Sequence, residues 1–196
     1  MAEAASALAS ALAKGGRDGA DGGRSLRLSE MRELELVQLG VYGGREPEFA
    51  KSAEAALGAP LPAGGAKPVH GDVRIYRVAA DQYWVLSRDR GLAGRLAAAI
   101  APDVGSVSSI SHGRVRIALE GPAARAVLET LVPIDLHPAA FAVGECAQTG
   151  THHIAVLVER AANDRYELVV LRSFAQALWE LLADAALRYG YDTGVE

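Results

Sequence analysis

Two stretches of this chain run through the same order of predicted elements, and that repeat limits the folds open to it. In the first, residues 33–36 alternate with period two and residues 37–42 continue an apolar, strand-like run. Gly43-Gly44 breaks the run. Pro47 suits the first turn of a helix. Phe49, Ala53, Ala56 and Leu57 share one face of that helix, and Gly58 is placed to stop it. A loop with Pro60, Pro62, Gly64, Gly65 and Pro68 follows. Residues 73–78 and 83–87 read as a hairpin around Ala80-Asp81-Gln82, with Tyr76, Tyr83 and Trp84 favouring strand. Asp89 can cap a helix carrying Leu92, Leu96 and Ile100, which Pro102 ends.

The second stretch repeats this. Residues 114–119 alternate cleanly, and Gly121-Pro122 opens a helix with Ala124, Val127, Leu128 and Leu131 on one face. Pro133 and Pro138 mark a long connection. Residues 153–160 and 166–171 form a hairpin around Asn163-Asp164, and a final helix runs over about 173–188. Each half is strand, helix, long loop, strand, strand, helix. The repeat is one of element order, not of residue identity. One half alone buries one face of its sheet, so two halves are expected to pack as an α+β fold. The expected organisation is a single domain over 29–192, made of halves at about 29–104 and 105–192.

Residues 1–28 read as a flexible tail. The stretch 15–23 is rich in glycine and charge and offers little to bury. The alanine-rich 4–13 can form a frayed helix that little would hold.

Composition removes several functions. The chain has 196 residues, half of them apolar, with a formal charge of -4 and a pI near 5.8. That balance opposes a nucleic-acid footprint and a polybasic membrane attachment. A lone cysteine, Cys146, permits no internal disulfide and no cysteine zinc site. No apolar run reaches the ~18 residues of a membrane span, and no secretory pattern opens the chain. The expectation is a soluble cytoplasmic protein.

Catalytic signatures are missing. The glycines at 15–23 follow no strand and are no dinucleotide fingerprint. There is no Walker lysine motif and no G-x-S-x-G elbow. His137, Cys146, His152 and His153 are near in sequence, but His152 and His153 are adjacent and in a strand would face opposite ways, so no metal site is expected. Glu145 beside Cys146 opposes a thiolate, which favours a structural cysteine over a nucleophile.

Two features point toward binding instead. Arg114 and Arg116 project from one face of their strand, either into solvent or toward a carboxylate or anion. In the last helix, Ser173 and Gln176 have capping-box spacing. Phe174, Ala177, Leu178, Leu181, Leu182 and Ala185 form its stripe. Trp179 lies roughly 130° from the middle of that stripe, so it either widens the buried face or anchors a partner.

Several separated motifs carry a family resemblance. They are Ser111-His112-Gly113-Arg114-Val115-Arg116 with its continuation to Ala124; Ile134-Asp135-Leu136-His137-Pro138; Phe141 with Gly144; Cys146-Ala147-Gln148-Thr149; Arg172-Ser173-Phe174-Ala175; and Leu178-Trp179-Glu180-Leu181-Leu182. In this order they resemble the gamma subunit of heterotetrameric sarcosine oxidase, densely over about 110–188 and loosely over about 30–100. The resemblance implies the aminomethyltransferase folate-binding domain fold. It also implies a non-catalytic structural subunit in the oxidative demethylation of sarcosine to glycine. Alpha, beta and delta subunits would be its partners. FAD, FMN, NAD, tetrahydrofolate and zinc would sit on those subunits and none on this chain. A folate-dependent iron–sulfur maintenance protein of the same superfamily has K-G-C-x-x-G-Q-E where this chain has Gly144-Glu145-Cys146-Ala147-Gln148-Thr149, so the lysine and the Gly-Gln-Glu end are absent. The candidate partner interface is His112, Arg114, Arg116, Cys146, Gln148, Arg172 and Trp179. The alternatives are a stand-alone folate-binding protein of the aminomethyltransferase class and the equivalent subunit of an N-methyl amino acid dehydrogenase.

Overall fold

The computed structural model describes residues 6–32, 34–64, 68, 71 and 73–196. Glu33, Gly65 and residues 1–5, which entered the sequence reading, lie outside that set. The chain divides into two compact units, residues 33–111 and residues 1–32 with 112–196. The boundary differs from the expected single domain with a free tail, because the N-terminal segment belongs to the unit built from the second half.

That segment carries a short helix α1 (Ala9–Leu12) and a strand β1 (Leu26–Met31). Leu8 and Ala11 are buried in the same apolar cluster as Leu178 and Leu182. Burying a leucine of that size stabilises by ~2 kcal/mol, which roughly offsets the cost of ordering one residue. The glycines read as flexible are places of close approach. A Cβ on Gly16 would lie 2.3 Å from the Tyr191 carbonyl oxygen. Gly190, at φ 70°, sits against the backbone of Gly23 and Gly19. Arg24 ties Asp18 (2.7 Å) and Asp192 (2.5 Å) together across this arm.

Residues 33–111 hold β2 (Glu35–Val41), α2 (Glu46–Leu57), β3 (Val73–Ala79), β4 (Gln82–Ser87), α3 (Leu92–Ala99) and β5 (Gly105–Ser109). The sheet order is β3-β4-β2-β5, the split βαββαβ arrangement. The helices pack on one face, where Val37, Leu39, Ile75, Val85, Phe49, Leu92 and Leu96 form the core. Helix α2 carries Pro47 in its first turn and stops at Gly58, which takes the left-handed conformation at φ 67° and donates its N–H to the Glu54 carbonyl. Asp89 acts just ahead of α3: its Oδ1 accepts from the Gly91 N–H at 2.8 Å, and its carboxylate pairs with Arg95.

The other unit adds β6 (Arg114–Glu120), α4 (Ala124–Glu129), β7 (Cys146–Thr151), β8 (Ile154–Ala162), β9 (Arg165–Leu171), α5 (Ala175–Ala186) and β10 (Tyr191–Val195). Its order is β10-β1-β6-β9-β8-β7. The element order of the first unit recurs with one added strand, β7, and one substitution. There β5 pairs antiparallel with β2. Here β1 takes that place beside β6, and β10 is moved out to pair in parallel with β1.

Four strands, β1, β5, β7 and β10, escaped the sequence reading. The last three lie at sheet edges and carry glycine and polar residues, so pairing partners rather than apolar alternation define them. The predicted capping box of α5 does not form. Residues 172–174 make a 3-10 turn, α5 begins at Ala175 with no side-chain cap, and Gln176 bonds forward to Glu180 at 3.1 Å. Among the described residues, no helix is long and apolar enough to cross a membrane.

Candidate functional site

The seven candidate residues divide into three settings. Trp179 is buried in the core of its own unit with Leu178, Leu182 and Ala186, which decides its two readings in favour of a wide buried face. Arg116 and Cys146 are also buried, and Gln148 is exposed on the edge strand β7. His112, Arg114 and Arg172 come together at one end of the six-stranded sheet.

The buried pair belongs to the sheet face turned away from the helices. Cys146 lies opposite Glu159, and Glu159 opposite Glu167, in one row across β7, β8 and β9. Two carboxylates directly opposite repel. Arg116 answers this by donating Nη2 to Glu167 Oε2 at 2.7 Å, with both side chains under a tenth exposed. Arg165 donates Nε to Glu167 Oε1 at 3.1 Å, Nη1 to Glu120 at 2.8 Å and Nη2 to Glu196 at 2.6 Å. Both oxygens of Glu167 therefore accept from arginine, and the group is committed to structure. The carboxylate that Arg116 was expected to meet lies in its own chain. Burial pushes the Cys146 thiol up to about 12, with Glu159 and Glu145 adding repulsion. It is protonated at neutral pH and is no nucleophile.

The sheet end is different in character. Arg114, the first residue of β6, is in register with Leu171, the last of β9. Arg172 follows directly, and His112 sits in the 3-10 turn Ser111–Gly113 just before β6. His152 and His153 form the two-residue turn between β7 and β8, since Thr151 pairs with Ile154. They are not the strand residues the sequence suggested, and His152 has φ 50°. The strand order brings this turn to the same end as Arg114 and Arg172. His112, His152, His153 and Arg172 are exposed, and Leu171 and Phe174 beside them expose 39% and 36% of their surface. Cys146 lies at the far end of β7 from His152, roughly 20 Å along the strand. His137 is spent in its own loop, where its Nδ1 accepts from the Ala139 N–H at 3.3 Å.

In residues 33–111 a cleft of about 450 Å³ opens beside α2. Glu46, Glu54, Asp81, Arg77 and Tyr83 contribute to its wall. Arg77 donates to the carbonyls of Ala63 and Ala80, and Glu54 accepts from the Leu61 N–H. With three carboxylates against one engaged arginine, this wall does not fit the anionic glutamate tail of a folate.

The family model described as the GCVT N-terminal domain matches residues 63–196. The chain belongs to this family. Within it, the chain is similar to sarcosine oxidase subunit gamma from Arthrobacter sp., with 28% identity over 187 residues, covering 95% of this chain and 90% of that one. The subunit gamma of Corynebacterium sp. (strain U-96) is 29% identical over 168 residues, covering 84% and 80%. Among solved structures, the chain is similar to one from heterotetrameric sarcosine oxidase of Corynebacterium sp. U-96 in complex with pyrrole 2-carboxylate. That chain has 26% identity and a TM-score of 0.82, with 93% and 92% covered. The glycine cleavage system aminomethyltransferase T from Bartonella henselae shares the fold at 17% identity and TM-score 0.60, covering 87% of this chain and 48% of that one. The gamma-subunit resemblance and the α+β fold of the aminomethyltransferase type, both read from sequence, are borne out.

Proposed function

We propose that this chain is the gamma-type subunit of a heterotetrameric sarcosine oxidase and acts in it as a non-catalytic structural part. The observation that carries this is the match over nearly the full length of both chains, at TM-score 0.82, to a chain of such an oxidase. Near-equal lengths matter, because the GCVT fold also occurs inside larger chains, as in the aminomethyltransferase, of which the match covers 48%. The chemistry of the chain supports the structural role. Its cysteine is held protonated, and Glu167 is held by two arginines.

In this reading the partners are the alpha, beta and delta subunits of a cytoplasmic complex. FAD, FMN, NAD, tetrahydrofolate and zinc are carried by them, and this chain binds none. The substrate is sarcosine, demethylated oxidatively to glycine. The carboxylate-lined cleft beside α2 is one place that does not suit the anionic glutamate tail of a folate. Calorimetric titration with tetrahydrofolate tests that point: the isolated chain is expected to release no binding heat, and micromolar binding would favour a folate-binding protein instead. Turnover of sarcosine by the isolated chain would refute the non-catalytic role.

A further inference from the structure

The cleft beside α2 has three carboxylates in its wall, Glu46, Glu54 and Asp81, and a single cation, Arg77. Glu54 accepts from the Leu61 N–H at 2.8 Å and Glu46 from the Gly44 N–H at 3.2 Å, both neutral donors. The Asp81 carbonyl accepts from the Val41 N–H at 2.8 Å, which leaves its carboxylate to the cleft. Among the described residues, none of the three carboxylates forms an ion pair. Arg77 is spent on the carbonyls of Ala63 and Ala80 and lies over the Tyr83 ring, 5.9 Å from its centroid. Arg45, next to Glu46 in sequence, pairs with Glu48 and Asp103.

The floor of the cleft is apolar. Phe49 is buried and stacks on Tyr83 with ring centroids 6.2 Å apart. Tyr83 is only 9% exposed, yet it lines the cleft, and its hydroxyl meets no partner among the described residues. A buried phenol normally finds one. The other unit supplies a contrast. Tyr166 is in register with Arg160 as Tyr83 is with Arg77, but Tyr166 is fully buried and its hydroxyl is sealed in the core. One Arg–Tyr framework is therefore closed, and the other opens onto an acidic wall.

We propose that this cleft binds a small organic monocation, an ammonium head on an apolar body. The head sits among Glu46, Glu54 and Asp81 and donates to the Tyr83 hydroxyl; the body lies against Phe49, Leu61 and Pro62. Charge attraction strengthens in a wall partly withdrawn from water, and a few polar groups on an apolar lining are what a small-molecule site needs. A metal ion is the poorer occupant, since no three acidic, histidine or cysteine side chains among the described residues converge to ligate one. An amino acid is poorer too, because its own carboxylate would face three others. The cleft is built from residues 33–111 alone, and the proposal does not rest on the subunit reading.

The test is titration of benzylammonium into the full chain at about 50 mM salt, read by amide NMR shifts and calorimetry. Saturable binding is expected, with shifts at the Gly43, Ala63 and Asp81 amides and weakening at about 300 mM salt. Benzyl alcohol, which has the shape without the charge, and sarcosine, which adds a carboxylate, are each expected to bind about tenfold more weakly or less. Asp81→Asn and Glu46→Gln together should weaken benzylammonium about tenfold. Tyr83→Phe, which keeps the ring stack, should weaken it about threefold. Glu48→Gln, on the same helix but outside the wall, should leave it unchanged. No saturable binding, equal binding of benzyl alcohol, or an unmoved affinity in the double variant would overturn the proposal. Tighter binding of Nα-acetyl-lysine amide than of benzylammonium would also overturn it, by assigning the cleft to a partner's side chain. Urea midpoints show whether each variant is folded, and the wild-type comparison with benzyl alcohol decides the proposal if one is not.

Discussion

Arg77 and Arg160 hold equivalent positions in the two units and make the same pair of hydrogen bonds. Each sits at a register shift near the end of the first hairpin strand, between Arg77 and Ala79 in β3 and between Arg160 and Ala162 in β8. Each donates Nη2 to the carbonyl three residues on, Ala80 at 2.7 Å and Asn163 at 3.2 Å. Each donates Nη1 to a carbonyl in the preceding loop, Ala63 and Phe141. One side chain thus fixes the bulge, the turn and the long connection together.

Burial separates the two. Arg160 is 6% exposed. Removing it leaves two carbonyls without their donor, and Arg160→Ala is expected to cost about 2–3 kcal/mol. Arg77 lies nearer solvent, where water replaces the lost donor, and Arg77→Ala is expected to cost under about 1 kcal/mol. Urea unfolding of the two variants, compared by midpoint at unchanged slope, measures the difference.

The N-terminal arm gives the second prediction. Leu8→Ala should destabilise the residue 1–32/112–196 unit by about 2–4 kcal/mol, the range for a truncated leucine in a packed core. Gly16→Ala should also destabilise it, because its Cβ would meet backbone at Tyr191. Thermal melts of both variants check this. A freely moving arm would give melts identical to wild type.

Trp179→Ala should behave as a core substitution, lowering stability by about 3–5 kcal/mol. The measurement is urea unfolding of the isolated chain. A Trp179 serving only a partner would leave that unfolding unchanged.

Cys146 yields a pH dependence. Its folded pKa, about 12, lies above the ordinary thiol value of 9.0 that the unfolded chain keeps. The unfolded chain therefore releases this proton first as pH rises. The contribution to stability is complete below about pH 9 and is lost between there and about pH 12. Cys146→Ala should flatten the stability profile in that window. At pH 8 the native thiol should resist a disulfide reagent that labels the urea-unfolded chain rapidly.

Much of the fold was legible because helices and central strands announce themselves by period. Phe49-Ala53-Leu57 and the run 114–119 are cases in which local pattern and final packing agree. The arm was misread because its partners are distant in sequence. Leu8 meets α5, β1 meets β6 and β10, and glycines that suggest disorder serve close backbone contact. The Arg77/Arg160 correspondence was visible in principle. Arg77-Val78-Ala79-Ala80-Asp81 and Arg160-Ala161-Ala162-Asn163-Asp164 share arginine, alanine and aspartate at one spacing. A reading by element order alone passes over it. Arg114 and Arg172 were each singled out from sequence, but only the β6–β9 register reveals them as neighbours, and His152 and His153 join them only once β7 exists.

A structural role for this chain in a flavin-bearing oxidase can be tested on the assembled complex. The most direct measurement is affinity purification of the tagged full-length chain from its native host, followed by the absorbance spectrum and sarcosine turnover of what is recovered. The expected result is a multi-subunit flavoprotein that oxidises sarcosine, together with a separately purified chain that has neither flavin nor activity. Recovery of the chain alone, with no flavoprotein, would contradict it.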